Sequence, residues 1–287
     1  MRGVSKGRVA LLAVLVLGAF FLGSGGVKPA NAIVERWERV RLHRLTTGYT
    51  VKETENFIIR FYAGDAKVLH RVANQAEEQL ALAAEFFGYR PKNKILLTVY
   101  HNKDHLRKGL RLPSRGTTLG AYYAGTIGVL SPNVWGEEGD AAEKGLYLHE
   151  LTHLLMADMA GGNYPLWFTE GMALYQEYLH TGFEWGKEYR FEKLPYTVEE
   201  LTGNFARLDQ FLAYKQSLLL VKTLVESEGR DKVLVLLEML GTGTSFDKAF
   251  VKVFGYLPGQ LWELLNEEGK KMKYARVGGP LHIKIGD

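Results

Sequence analysis

His149-Glu150-Leu151-Thr152-His153, followed after a short gap by Leu166-Trp167-Phe168-Thr169-Glu170-Gly171-Met172-Ala173, is the part of the sequence that organises the rest. Four residues of α-helix advance about 400°, so His149 and His153 fall on one face a turn apart and their imidazoles can converge on one ion. Glu150 lies about 100° round, at the edge of that face, where it is better placed to hold a water than to ligate. Leu146, Leu148, Leu151, Leu154, Leu155 and Met156 surround the pair, the pattern of a buried helix. Two histidines and a glutamate are costly in such a helix unless they are paired or bound to a metal.

A catalytic zinc takes three protein ligands and keeps one position open, so a third ligand is needed from a neighbouring element. Gly161-Gly162 ends the first helical pattern and Pro165 opens a second, running to about Leu179. The sixteen residues between His153 and Glu170 are enough to turn back antiparallel and bring the Glu170 carboxylate to the histidines.

Upstream, residues 48–62 read as extended, with Phe57, Ile59 and Phe61 alternating against Ile58, Arg60 and Tyr62. Asp65 is placed to cap a helix reaching Phe87, with Gly88 just beyond it and Val68, Val72, Ala76, Leu80 and Ala83 as its apolar stripe. Lys94 to Tyr100 reads as a buried strand, 101–118 as a basic loop, and Gly120 to Leu130 as one strand containing three glycines. A helical pattern covers Asp140 to Met159. Beyond the second motif helix the chain reads as helical over roughly 197–203, 207–228, 231–240, 245–254 and 258–273. Strands before 131 and helices after it predict an α+β fold, a small N-terminal mixed sheet with helices followed by a mainly helical half, with the ligand site in the cleft between them.

The chain ends predict processing. Arg2, Lys6 and Arg8 precede the apolar run Val9 to Leu22, and Ala30-Asn31-Ala32 follows, which is the order of a secretory signal peptide. Residues 1–32 are expected to be removed after Ala32, an uncleaved membrane anchor being the alternative; either way the body lies outside the cytoplasm. The body divides into a β-rich part over 33–135 and a helical part over 136–273, with a basic tail at 274–287. The formal charge is +4, but the four basic residues of the first 32 account for it, leaving 32 Lys and Arg against 32 Asp and Glu. No nucleic-acid partner is expected from that balance. The absence of cysteine excludes disulfides, thiolate metal sites and thiol catalysis. The remaining histidines, His43, His70, His101, His105, His180 and His282, lack ligand spacing. Lys103, Arg107, Lys108, Arg111 and Arg115 form a basic stretch that is either a solvated loop or a contact for an anionic substrate or polymer.

The joint motif, HExxH followed by W-x-x-E-G-x-A, resembles the gluzincin metallopeptidases, in the form carried by the aminopeptidase branch and the small peptidase MA-like domains. The resemblance extends loosely over residues 50–270. It implies a zincin-like fold, one Zn²⁺ held by His149, His153 and Glu170, and hydrolysis of a peptide or protein substrate with Glu150 as general base. In that group a later helix often supplies a tyrosine or histidine to the oxyanion; Tyr214 is similar in placement, and the alternative is a packing tyrosine. The resemblance also implies that an edge strand, here Gly120 to Leu130, pairs with extended substrate, against the alternative of an ordinary sheet strand. The thermolysin-like branch has an acid four residues after its third ligand. Here that position is Leu174, and Glu177 is the candidate to replace it, unless it faces solvent. Two further readings stay open: an inactive scaffold that binds peptides or partners at the cell surface, and a zinc hydrolase of a non-peptide amide.

Overall fold

The computed structural model describes residues 28–112, 118–135, 139–191, 193–261 and 263, without the side chains of 28–35 and 139–144. The apolar run at 9–22, the tail at 274–287 and most of the helix expected over 258–273 lie outside the described residues. Helix α1 (Lys28–Leu45) leads into β1 (Thr50–Glu53) and β2 (Phe57–Phe61), then α2 (Leu69–Phe87), β3 (Ile95–Tyr100) and α3 (Lys103–Leu110). The hairpin β4 (Gly120–Tyr123) and β5 (Thr126–Leu130) follows, and then α4 (Gly139–Ala160), α5 (Leu166–Thr181), α6 (Val198–Asn204), α7 (Gln210–Glu228), α8 (Arg230–Gly241) and α9 (Phe246–Phe254).

The five strands form one mixed sheet in the order β1-β2-β3-β5-β4. β2, β3 and β5 run parallel, and β1 and β4 close the two edges antiparallel. Side-chain alternation divides the sheet. Phe57, Ile59 and Phe61 of β2 join Leu97, Val99, Ile127 and Val129 on one face. There they meet the α2 stripe Val72, Ala76, Leu80 and Ala83 and the apolar positions of α4, in a core that continues into the helical half. Tyr100, Ala121 and Leu130 cluster instead with Leu106 and Leu110 of α3. The fold is α+β, a small mixed sheet followed by helices.

Four local expectations are corrected. Residues 48–62 are two strands, not one, because β1 folds back antiparallel on β2. Asp65 does not cap α2, which begins at Leu69; its carboxylate is taken by Ser131 Oγ (2.5 Å) and Asn133 Nδ2 (2.8 Å), two donors just after β5. The 101–118 stretch contains α3, capped by Asn102, whose side chain accepts from the His105 N–H at 2.8 Å. Gly120 to Leu130 is a hairpin: Ala124 (φ 47°) and Gly125 (φ 74°) occupy the two central positions of a tight turn, where both residues must be left-handed.

Helix α1 was not anticipated. Its turn 38–42 faces inward, with Leu42 buried, the Arg41 guanidinium donating to the carbonyls of Lys108 and Gly109, and Glu38 paired to Arg111 at 2.9 Å. Ala30-Asn31-Ala32 lies within this helix. Among the described residues no helix is long and apolar enough to cross a membrane.

Candidate metal centre

The two motif helices are α4 and α5, joined through Gly161 and Gly162, both at positive φ. Their antiparallel return brings Glu170 against the histidines of α4. Glu170 Oε2 lies 3.5 Å from His149 Nε2 and 3.6 Å from His153 Nε2, and the potential ligand atoms of all three residues lie within 4.8 Å of one another. Among the described residues this is the only such group of three.

The donor set fits a metal ion. His149, His153 and Glu170 are buried, yet both Nε2 atoms and both carboxylate oxygens of Glu170 have no hydrogen-bond partner among the described residues. Leaving four such atoms together without a ligand runs against the usual satisfaction of buried polar groups. Two ligands each about 2.05 Å from a tetrahedral zinc stand about 3.3 Å apart. The observed 3.5 and 3.6 Å are within a small relaxation of that edge.

The outer nitrogens are fixed. His149 Nδ1 meets Glu177 Oε1 at 2.5 Å, and His153 Nδ1 meets Thr169 Oγ1 at 2.7 Å. With Nδ1 carrying the proton, each Nε2 lone pair is left to point into the cluster. Glu177 therefore faces inward and does the orienting expected of a second carboxylate, seven residues after Glu170 rather than four. Gly145 makes room for it: a Cβ there would stand 3.0 Å from Glu177 Cγ. Thr169 was missed in the sequence, its only signal being its place beside Glu170.

Glu150 is fully buried next to the pair. Its Oε2 accepts the Tyr122 backbone N–H of β4 at 2.6 Å, and Oε1 has no hydrogen-bond partner among the described residues. Burial raises the Glu150 carboxyl above its usual range, more than the two histidines lower it. Burial would also raise Glu170, but His153 and His149 outweigh it and hold Glu170 below the usual range. For His149 burial acts downward, and the Glu170 and Glu177 carboxylates more than reverse it, so its pKa is well raised without a metal.

Among the described residues β4 pairs only with β5, so its other edge has no strand partner there. The Tyr122 N–H that reaches Glu150 points off that free edge.

Tyr214 lies on α7, which crosses α5 beside Glu170. A Cβ on Gly171 would stand only 2.4 Å from Ser217 O, so the α7 backbone is pressed against the residue next to Glu170. Tyr214, one turn before Ser217, is buried, with its ring 5.5 Å from that of Phe205 and 5.9 Å from that of Trp185. Lys215 is anchored to Glu184 at 2.8 Å. His101 and His105 pack ring to ring away from this cluster, His101 Nδ1 meeting Tyr49 Oη at 2.8 Å.

Residues 75–266 match the family model of the peptidase MA superfamily. A search of curated proteins finds no match. The family match covers well over half of the chain and contains α4, α5, α7 and the β4–β5 hairpin, so the chain belongs to the peptidase MA superfamily of metallopeptidases.

Proposed function

We propose that the protein is an exported, zinc-dependent peptidase of the gluzincin type, with His149, His153 and Glu170 as ligands and Glu150 as general base. The observation that carries this reading is the convergence of two Nε2 atoms and one carboxylate, beside a buried glutamate with one open oxygen, all of them without a hydrogen-bond partner among the described residues. A zinc ion held there supplies a Lewis acid for the scissile carbonyl and for the attacking water.

The chain's own residues do the rest. Glu150 is held by Tyr122 through Oε2, leaving Oε1 to take the proton of the attacking water and return it to the leaving amine. Glu177 and Thr169 keep the two imidazoles in one tautomer and one orientation. Tyr214 is the proposed donor to the developing oxyanion. The outer edge of β4, apart from the Tyr122 N–H that Glu150 holds, is the proposed rail for extended substrate, so that main-chain pairing sets the scissile bond beside Glu150.

The test is a peptide-library digest with the parent and with Glu150→Gln, each checked for bound zinc. The expected result is cleavage by the parent, none by the variant, and equal zinc in both. A parent that holds zinc and leaves every peptide intact overturns the peptidase reading in favour of a non-peptide amide substrate or an inactive scaffold.

A further inference from the structure

Helix α1 turns one face inward, and the opposite face has no packing partner among the described residues. Glu38, Leu42 and Thr46, spaced i, i+4, i+8, are buried, and Arg41 beside them is tied to the α3 end of the body. The outward face, about 180° round, carries Trp37 and Val40 with Arg36, His43 and Arg44. Trp37 is 71% exposed, the highest value among the large hydrophobic side chains of the described residues. Between Arg36 and Leu45 the only acid is Glu38, and it is turned inward in its ion pairs. A body whose charges balance over residues 33–287 thus gathers a basic strip here, with an indole and a valine at its centre.

We propose that this face is a bilayer-contact surface, seating the protein on an anionic membrane with the Trp37 indole at headgroup depth. An amphipathic aromatic flanked by arginines is the composition that partitions into the interface, and anionic headgroups supply the complementary charge. The position along the chain agrees. The apolar run ends at Leu22 and α1 begins at Lys28, so the intervening residues reach at most about 20 Å. A run held in a bilayer therefore delivers α1 to the surface of that bilayer. The face begins at Arg36, past Ala32, and stays with the chain even if the leader is removed. Arg39 of the same helix donates to Gly125 O at 3.4 Å in the β4–β5 turn, so the membrane-contacting helix adjoins the hairpin that supplies Tyr122 to Glu150. The inference does not depend on the peptidase reading.

The test uses the full chain with vesicles of phosphatidylglycerol and phosphatidylcholine whose acyl chains are brominated near the headgroup. Emission of the parent minus that of Trp37→Phe isolates the indole. The expected result is quenching of the Trp37 component in anionic vesicles, weaker in pure phosphatidylcholine, and reduced in Arg36→Gln/Arg44→Gln. If each arginine contributes its ordinary surface attraction, the double change weakens the α1 contact by about 20-fold or more. Three results overturn the proposal. In one, the protein sediments with the vesicles and Trp37 is not quenched, which leaves the apolar run as the sole attachment. In another, Trp37 is shielded by a second copy, seen as a dimer mass in lipid-free solution that Trp37→Ala abolishes. In the last, neither vesicle type binds the chain.

Discussion

Glu177→Ala is the perturbation whose size follows most directly from the geometry. The His149 imidazole is fully buried, and its Nδ1 has the 2.5 Å contact with Glu177 Oε1. If Nε2 serves as the ligand atom, the neutral ring must carry its proton on Nδ1 and donate it to Glu177. Removing the carboxylate leaves that buried N–H without its acceptor, a loss of about 1–3 kcal/mol. Expressed as binding, this is on the order of 10- to 100-fold, the range typical for changes to the partners of metal-bound histidines. Glu177→Gln keeps an oxygen to accept the proton and loses only the charge, so its effect falls between the parent and Glu177→Ala. Thr169→Val removes a neutral acceptor from His153 Nδ1 and costs less than Glu177→Ala, since hydrogen bonds to charged groups are the stronger class. The assay is zinc competition against a chromophoric chelator, with circular dichroism to establish that each variant is folded. A Glu177→Ala variant that is folded and binds zinc within about twofold of the parent would refute the orienting role and leave His149 positioned by helix packing alone.

Three other outcomes are expected. Gly171→Ala forces a Cβ to within 2.4 Å of the α7 backbone and 2.6 Å of Val221 Cγ2, so it destabilises by about 3 kcal/mol, seen as a fall in Tm of several degrees, with zinc affinity lowered as Glu170 shifts; an unchanged Tm contradicts the close crossing. Tyr214→Phe lowers kcat by about 10²-fold with zinc retained, and an unchanged kcat assigns Tyr214 to packing against Trp185 and Phe205. Glu38 is raised by burial, but its bonds to Arg111 and Arg41 outweigh that and hold its pKa below 4.5 in the folded chain. Its contribution is thus present above pH 4.5 and lost as pH falls through the lowered value. The Tm advantage of the parent over Glu38→Gln should shrink as pH drops below 4.5, and a constant difference would show that the ion pairs with α1 do not hold the helix.

The motif helices were legible because their information is local. His149 and His153 are four residues apart, the surrounding leucines mark a buried helix, and Gly161-Gly162 and Pro165 punctuate the return that carries Glu170. The orienting partners were harder because they depend on where α5 lies along α4. Glu177 has the same spacing to Glu170 whether it faces His149 or water, and the space left by Gly145, which the spacing does not reveal, is where it sits. Thr169 carries no mark beyond its neighbour. The hairpin was read as one strand because alternation continues through Tyr123 and Thr126, and the reversal rests on Ala124 and Gly125 both adopting positive φ. Asp65 resembled an N-cap in sequence and was claimed instead by donors from beyond β5, 66 and 68 residues away. Helix α1 escaped notice because Ala30-Asn31-Ala32 reads equally as a processing site, and its tie to the body is made by Arg41 and Glu38 reaching residues of and just after α3.

The central claim is that His149, His153 and Glu170 hold one zinc ion, and elemental analysis of the purified protein beside a Glu170→Gln variant tests it most directly. The account predicts about one zinc per chain in the parent and a marked loss in a variant that remains folded. A parent that takes up no zinc even after reconstitution would contradict it, and the buried His-His-Glu cluster would then have to be explained as a structural feature without its ion.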